Sequence, residues 1–326
     1  MKKLIAEAPD KVVLADVDVP KIKPNEVLVK SVSSLISPGS ELNRVRRLPG
    51  DADSKWPNYD LGYAVCGEVI EVGGEVTKFK VGDRVATMQH HQQFVASPVP
   101  DDRKALYVTL PIPDDVSWDA SPFILWGRSC YNWITKANIQ KGETVAVMGL
   151  GLVGLLMTMW PKLREPERVI GIDLFDLRLE LARKAGADEV INAKTSNSIE
   201  MVMELTSGRG ADLTFHCISG SSVKAFEDSQ LITRRGGRIV LIGIHSEPLT
   251  IRRGEFLGKD LLGAGTNYDM DYGLYNEGIE GIQTGKLPVM KIVTHNVPFM
   301  RGPEIYDMLN FRPHESGAVL LRWDKE

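Results

Sequence analysis

Between Thr144 and Gly154 the chain reads TVAVMGLGLVG. An apolar run of strand length meets a G-x-G-x-x-G turn at Gly149, Gly151 and Gly154, and a helix-length apolar segment follows. Few arrangements accept that order. A strand apolar on both faces must be covered on both sides, as in a parallel sheet. The glycines permit a tight turn and close approach of a pyrophosphate, and the helix that starts at Leu152 and Val153 offers unpaired N–H groups and the positive end of its dipole. Asp173 closes the next strand, RVIGID. A carboxylate there accepts hydrogen bonds from an adenosine ribose diol. It would repel a 2′-phosphate, so NAD is expected over NADP. Arg178 lies near the same ribose position and would soften that preference. The alternative is a glycine-bearing helix cap with no ligand.

The pattern continues in both directions. From about residue 140, TVAVMG, RVIGID, EVIN, DLTFHCIS, GRIVLIGI and LLGAGT read as strands. Helices from Leu152 to Leu163, LRLELARKAG, SIEMVMELTSG and SVKAFEDSQLIT separate them. Such alternation predicts a doubly wound α/β sheet. Before residue 120, EVLVKSVSSLIS, VCGEVIEVG and DRVATMQHHQQFVASP are β-branched runs parted by turn residues, which predicts a partly closed β-domain. PIPDDVSWDASPFI predicts a loop entering a helix, with Asp119 or Ser121 as cap and Pro122 in the first turn. The tail after residue 270 holds too few elements for a third domain. It is expected to complete the first, giving a β-rich domain of residues 1–122 and 267–326 around a nucleotide-binding domain of 123–266.

Composition narrows the function classes. A chain of 326 residues with 43% hydrophobic and 25% charged residues is ordinary for a globular protein of two domains. A net charge of -4 argues against nucleic acid or an anionic membrane as partner. Cys66, Cys130 and Cys217 are too scattered for a disulfide framework or a CxxC zinc pair. MKKLIAEAPDKVVL lacks the apolar run of a signal peptide, and Val145 to Trp160 is too short and glycine-broken to span a bilayer. A cytoplasmic protein with a small-molecule substrate is expected.

The order and spacing of EVLVKSVSS, CGEVIEVGGEVTKFKVGDRV, GETVAVMGLGLVG, RVIGIDLFDLRLELARKAGADEVIN, GADLTFHCISG and GGRIVLIGI resemble the medium-chain dehydrogenase/reductase superfamily, in its alcohol and polyol dehydrogenase group. The resemblance covers nearly the whole chain. It implies a GroES-like catalytic domain, a Rossmann domain, an active site between them, and hydride transfer between a nicotinamide and a carbonyl or alcohol carbon. Members are commonly dimers or tetramers, and the strand after GRIVLIGI could pair across a two-fold axis. Zinc-dependent members carry a Cys in a CGTD-like turn, a GHE motif and a third ligand near the interdomain helix. Here SPGSE puts Ser37 at the first, GYA puts Tyr63 and Ala64 at the second, and Leu125 falls near the third. None is a good zinc ligand, and the four-cysteine structural lobe is missing, since GDRVA runs almost directly into HHQQFV. The chain resembles a zinc-independent branch with SPG(S/T)E and LGY, whose members act on sugars, cyclitols or chlorophyll precursors.

Without a metal, a side chain must move the proton. Tyr63 is the first candidate, or else a packing residue that fills the vacated ligand space. His90 and His91 follow. Read as strand neighbours they point to opposite faces, so at most one faces the cleft, and either could equally be a solvated surface histidine. By resemblance, Ser40 holds the relay-hydroxyl position and Glu41 pairs inside its domain. Ser37, Arg128, Asn132 and Trp126 are candidates for substrate binding. Arg128 could instead bind the cofactor or a carboxylate elsewhere, and Trp126 could simply pack the domain junction. The resemblance also implies that Cys217, Ile218 and Ser219 border the cofactor riboses, Gly243 and Ile244 face the carboxamide, and Gly265 and Thr266 close over the nicotinamide. The leading expectation is a zinc-independent, NAD-dependent dehydrogenase of a sugar, polyol or cyclitol hydroxyl. The alternatives are an NAD(P)H-dependent quinone, enoyl or ketone reductase, and a non-catalytic NAD(H)-binding protein.

Overall fold

The computed structural model describes residues 1–46, 56–99, 108–220, 222–245, 247–256, 258–263 and 273–325. The chain begins with β1 (Lys2–Ala8), β2 (Lys11–Asp16), β3 (Glu26–Ile36), α1 (Pro38–Val45), β4 (Val65–Val72), β5 (Arg84–Thr87), β6 (Phe94–Pro98) and β7 (Thr109–Pro111). It continues through α2 (Gly127–Lys136), β8 (Thr144–Met148), α3 (Leu152–Met159), β9 (Arg168–Asp173), α4 (Asp176–Ala185), β10 (Glu189–Asn192), α5 (Ser198–Leu205), β11 (Ala211–His216), α6 (Val223–Ile232), β12 (Thr233–Leu241), α7 (Arg253–Phe256) and β13 (Asp260–Gly263). It closes with α8 (Gly273–Gln283), β14 (Val293–Pro298), α9 (Gly302–Phe311) and β15 (Ala318–Arg322). Two compact units divide it. The first is Met1–Arg128, Asn267–Thr284 and Val293–Glu326, and the second is Ser129–Thr266 and Gly285–Ile292.

The first unit is the GroES-like β-domain. Its sheet runs β14-β15-β3-β4-β5-β7, with β6 also paired to β3. The tail is bound by register: Val319 of β15 faces Ile36 of β3, antiparallel. Alternation on β3 and its neighbours buries Val27, Val29, Val65, Val69, Val85 and Val95 in one core. A second core joins Leu4, Ile36 and Leu61 to Tyr306 and Leu321. The run DRVATMQHHQQFVASP forms two strands, β5 and β6, and both His90 and His91 lie in the irregular stretch between them. The premise that these histidines alternate along a strand therefore fails. Neither Asp119 nor Ser121 caps a helix. A 3-10 turn, Ser121–Trp126, precedes α2 with Ala120 at its N-cap, Asp119 accepts from Arg322, and the Ser121 hydroxyl donates to the Trp118 carbonyl.

The second unit is the Rossmann domain. Its sheet order is β10-β9-β8-β11-β12-β13, parallel throughout. Ala146, Met148, Ile170 and Ile172 are buried on one face of β8 and β9 and Val145, Val147 and Val169 on the other, which is why both strands are apolar throughout. The helix expected from Leu152 to Leu163 is α3 followed by a 3-10 turn over Trp160–Arg164, where Pro161 cannot donate into an α-helical ladder. The chain proceeds outward from β8 through β9 on one side and through β11 on the other. The carboxyl end of β8 is thus the switch point where such sheets hold ligands. No helix among the described residues is long and apolar enough to cross a membrane.

Candidate functional site

In the second unit the three glycines of the turn after β8 answer three separate demands. Gly149 has φ +88°, and a Cβ there would meet Ile218 Cγ1 at 2.4 Å. Gly154 packs helix on strand: a Cβ would stand 1.8 Å from the Gly149 carbonyl oxygen. Gly151, the N-cap of α3, has nothing within 4 Å of its Cβ direction and no side-chain cap. Leu152 and Val153 open α3 behind it. One glycine for the turn, one for packing and one facing open space is the arrangement that brings a pyrophosphate onto backbone N–H groups. These residues fit a dinucleotide.

Asp173 ends β9 beside that turn and is 8% exposed. One oxygen accepts from Leu150 N at 2.7 Å, the other from Leu174 N at 2.7 Å and Phe175 N at 3.1 Å. A carboxylate has about four acceptor positions, so one remains for a further donor. Arg178 Nη1 lies 3.9 Å from Asp173, and its guanidinium also covers the Phe175 ring at 5.2 Å.

The remaining cofactor candidates of this unit fall on two turns. Cys217, Ile218 and Ser219 follow β11, and Gly243 and Ile244 follow β12. The turns touch: a Cβ on Gly243 would meet Ile218 O at 1.8 Å, and Ile244 N donates to Ser219 Oγ at 3.1 Å. Ile244 is exposed, while burial pushes the Cys217 thiol well above its ordinary value, so it is no thiolate nucleophile. Gly265 and Thr266 lie outside the described residues.

In the first unit, Ser37, Ser40 and Tyr63 come together. Ser37 is the N-cap of α1, yet its hydroxyl caps no backbone N–H. It accepts instead from Tyr63 Oη. Ser40 Oγ, one turn along α1, donates to Tyr63 Oη at 3.1 Å and lies 3.3 Å from Ser37 Oγ. The result is a directed chain of hydroxyls, Ser40 to Tyr63 to Ser37. Burial pushes the Tyr63 phenol up to about 12, against the lowering effect of its serine partners. The Tyr63 ring packs at 54° against Trp126, with centroids 5.9 Å apart. Trp126 Nε1 is buried with no hydrogen-bond partner among the described residues, as is Asn132 Nδ2 on α2. Arg128, on the same helix, is buried.

The histidines are engaged elsewhere. His90 Nδ1 sits 2.9 Å from the Gly62 carbonyl and Nε2 3.2 Å from Asp60. Burial lowers its pKa more than that carbonyl raises it. His91 is fully buried, its Nε2 3.2 Å from Glu41 Oε2 but off the line of a hydrogen bond. Glu41 accepts from Ser37 N at 2.6 Å and from Tyr306 Oη. Neither imidazole hydrogen-bonds the hydroxyl chain. Tyr306 carried no sequence signal, because it reaches Glu41 from α9, at the far end of the chain.

Zinc does not fit here. Ser37 and Tyr63 offer neutral hydroxyls already bonded to each other, Pro38 and Ala64 beside them offer nothing, and Leu125 is apolar. Among the described residues no cluster of three His, Cys, Asp or Glu could hold a metal ion.

Comparison with known proteins joins the two units. Residues 23–106 match the alcohol dehydrogenase GroES-like domain, and residues 153–272 match the zinc-binding dehydrogenase domain. A sorbitol dehydrogenase of Bacillus subtilis is 28% identical over 90% of this chain and 89% of its own. Galactitol-1-phosphate dehydrogenase of Escherichia coli superposes with a TM-score of 0.85 at 20% identity, covering 99% of this chain and 100% of that one. An Escherichia coli alcohol dehydrogenase complexed with NADH superposes with a TM-score of 0.83 at 20% identity, covering 99% of both chains. With the parallel sheet, the glycine turn and the GroES-like domain in one order, the chain belongs to the medium-chain dehydrogenase/reductase superfamily, beside the zinc-type alcohol dehydrogenases, and is an oxidoreductase.

Proposed function

We propose that the chain passes hydride between NAD(H) and a hydroxyl or carbonyl of a sugar, polyol or cyclitol without a catalytic zinc. The relatives named for sorbitol and galactitol phosphate support the substrate class. The observation that carries the zinc-free step is the Ser40–Tyr63–Ser37 hydroxyl chain at positions where zinc does not fit.

The nicotinamide, when bound, supplies or takes up the hydride. Gly149, Gly151, Gly154 and the start of α3 hold the pyrophosphate. Asp173 takes the ribose diol and favours NAD, moderated by Arg178. Cys217, Ile218, Ser219, Gly243 and Ile244 flank the nicotinamide end, with Gly265 and Thr266 assigned by resemblance alone. Tyr63 moves the proton. With its phenol at about 12 it stays protonated through the physiological range. It therefore acts as a donor to the oxygen that gains charge as a carbonyl is reduced. Ser40 donates into Tyr63 Oη as the phenol gives up its proton and takes a proton from solvent in turn, and oxidation runs the same path backward. His90 and His91 position the loop around Gly62 and take no proton from substrate. The Trp126 indole N–H, buried without a partner, suits an oxygen-rich substrate, and Arg128 and Asn132 are assigned to its other hydroxyls. A cytoplasmic homodimer or homotetramer completes this reading.

The test gives chelator-treated protein NAD and a panel of polyols, aldoses and cyclitols, and follows NADH absorbance. NADH formation with one substrate class supports the reading. The protonated phenol also favours a second reading, reduction of a ketone, enone or quinone. Silence with the panel, followed by turnover of NADH or NADPH with such carbonyls, would select it. NADH binding without any turnover would leave a non-catalytic cofactor protein.

A further inference from the structure

One cluster of the second unit takes no part in the proposed chemistry. His216 is the last residue of β11 and is fully buried, with Nδ1 2.9 Å from Ser229 Oγ on α6. Its Nε2 is 3.2 Å from Nε2 of His245, just past the Gly243 turn. The two rings lie 23° apart in plane with centroids at 5.1 Å. The Gly220 backbone hydrogen-bonds the His245 ring, which leaves Nδ1 for that bond because Nε2 faces His216. Phe226 packs edge-on against His216 with ring centroids 5.5 Å apart.

The proton positions follow from Ser229, whose Oγ also lies 3.0 Å from the Ala225 carbonyl. When Ser229 donates to His216 Nδ1, His216 donates through Nε2 to His245. When Ser229 donates to Ala225, it accepts from His216 Nδ1–H, and two Nε2 lone pairs then face one another. That second arrangement is a ligand pair. Metal–nitrogen bonds of ~2.0–2.1 Å at tetrahedral angles put two imidazole nitrogens about 3.3 Å apart, and here they are 3.2 Å apart. Both outer nitrogens would then be N–H groups held by Ser229 and Gly220, the outer partnership that ligating histidines need.

We propose that His216 and His245 bind a divalent transition-metal cation of the zinc or nickel class, for which imidazole is a suitable ligand. Among the described residues no third His, Cys, Asp or Glu joins them. Water completes the coordination, and the ion exchanges readily. In the part that rests on the cofactor reading, the ion ties the Ile218–Gly220 turn to the Gly243–His245 turn and so changes NADH affinity.

The experiment titrates Zn²⁺, and separately Ni²⁺, into the metal-stripped full-length protein by calorimetry. One equivalent should bind to the wild type. His245→Ala, on a partly exposed turn, should weaken it at least ~10-fold, and Ser229→Ala, which frees the outer nitrogen of His216, about 10-fold. His314→Ala, at an exposed histidine beside Glu315, should leave it unchanged. Equal binding by His245→Ala, or no binding to the wild type, overturns the site. NADH titrations with and without Zn²⁺ test the coupling: a Zn²⁺-dependent affinity in the wild type, absent from His245→Ala, supports it, and an unchanged affinity overturns it. Failure to bind NADH with metal absent would strike the cofactor reading alone, since the metal titration uses no nucleotide.

Discussion

In the proposed reading the backbone itself is the binding surface around Gly149, and three side-chain hydroxyls are the reacting groups around Tyr63. The first region is defined by what must be missing: a Cβ at Gly154 would run into a carbonyl oxygen, and one at Gly149 into Ile218. The second is defined by what has been substituted in the proposed reading, with Ser37 and Tyr63 at the positions that the family resemblance assigns to metal ligands. A backbone site keeps one solution over many sequences, because only glycine meets it. A side-chain site is rebuilt when its metal ligands go, and many residue sets can move a proton. The two regions should therefore fail differently when mutated.

The largest effect is expected at the proton. Tyr63→Phe removes both the donor and the acceptor of the hydroxyl chain and should lower kcat by ~10²–10⁴-fold, while NADH affinity stays at the wild-type value. Steady-state kinetics beside an NADH titration would check it. An equal loss in both would place Tyr63 in packing instead.

The glycines sharpen the contrast within one turn. Gly154→Ala forces a methyl against backbone that cannot yield and should cost about 1–3 kcal/mol or more, read as a lower melting temperature and lost NADH binding. Gly151→Ala meets open space in the protein, so it should melt near the wild type yet bind NADH less tightly. Similar behaviour of the two variants would break the assignment of separate roles.

Buried Glu41 gives the region around Tyr63 its own stability test. Glu41→Ala strands the Ser37 N–H and the Tyr306 hydroxyl, at about 1–3 kcal/mol for each buried group left unpaired. Thermal melting would show the loss. A melting temperature equal to that of the wild type would mean that the α1 start and α9 are held by packing alone.

The broadest effect is on pH. His216 falls from an ordinary 6.5 to about 3 in the folded chain. The unfolded chain therefore binds the proton first. Its contribution to stability is complete above about 6.5 and drains as pH falls toward about 3, at no more than ~1.4 kcal/mol per unit. Melting temperature against pH should lose part of this slope in His216→Gln. Tyr63 adds a kinetic counterpart: at about 12, its ionisation should leave no break in the reduction rate between pH 6 and 10.

The Rossmann unit was legible in sequence because its demands are local. TVAVMG, the glycine spacing and Asp173 lie along one βαβ run, and each has a backbone reason. The β-rich character of the GroES-like unit was legible too, from β-branched runs such as EVLVKSVSS parted by turn residues. His90 and His91 were not, because their positions depend on Gly62, Asp60 and Glu41, none of them a sequence neighbour. The Tyr306–Glu41 contact and the His216–His245 pair span long stretches of chain and leave no periodic trace. Ser37 was singled out as a lost ligand, but its partnership with Tyr63 is a matter of tertiary distance. No spacing rule carries that.

On the proposed reading the proton moves without zinc. Its most direct test is the activity of wild type and His245→Ala after chelation, with residual metal measured in the same samples. Full turnover is expected in both at negligible zinc. Activity that vanishes with the metal in both proteins, and returns when zinc is added, would contradict it.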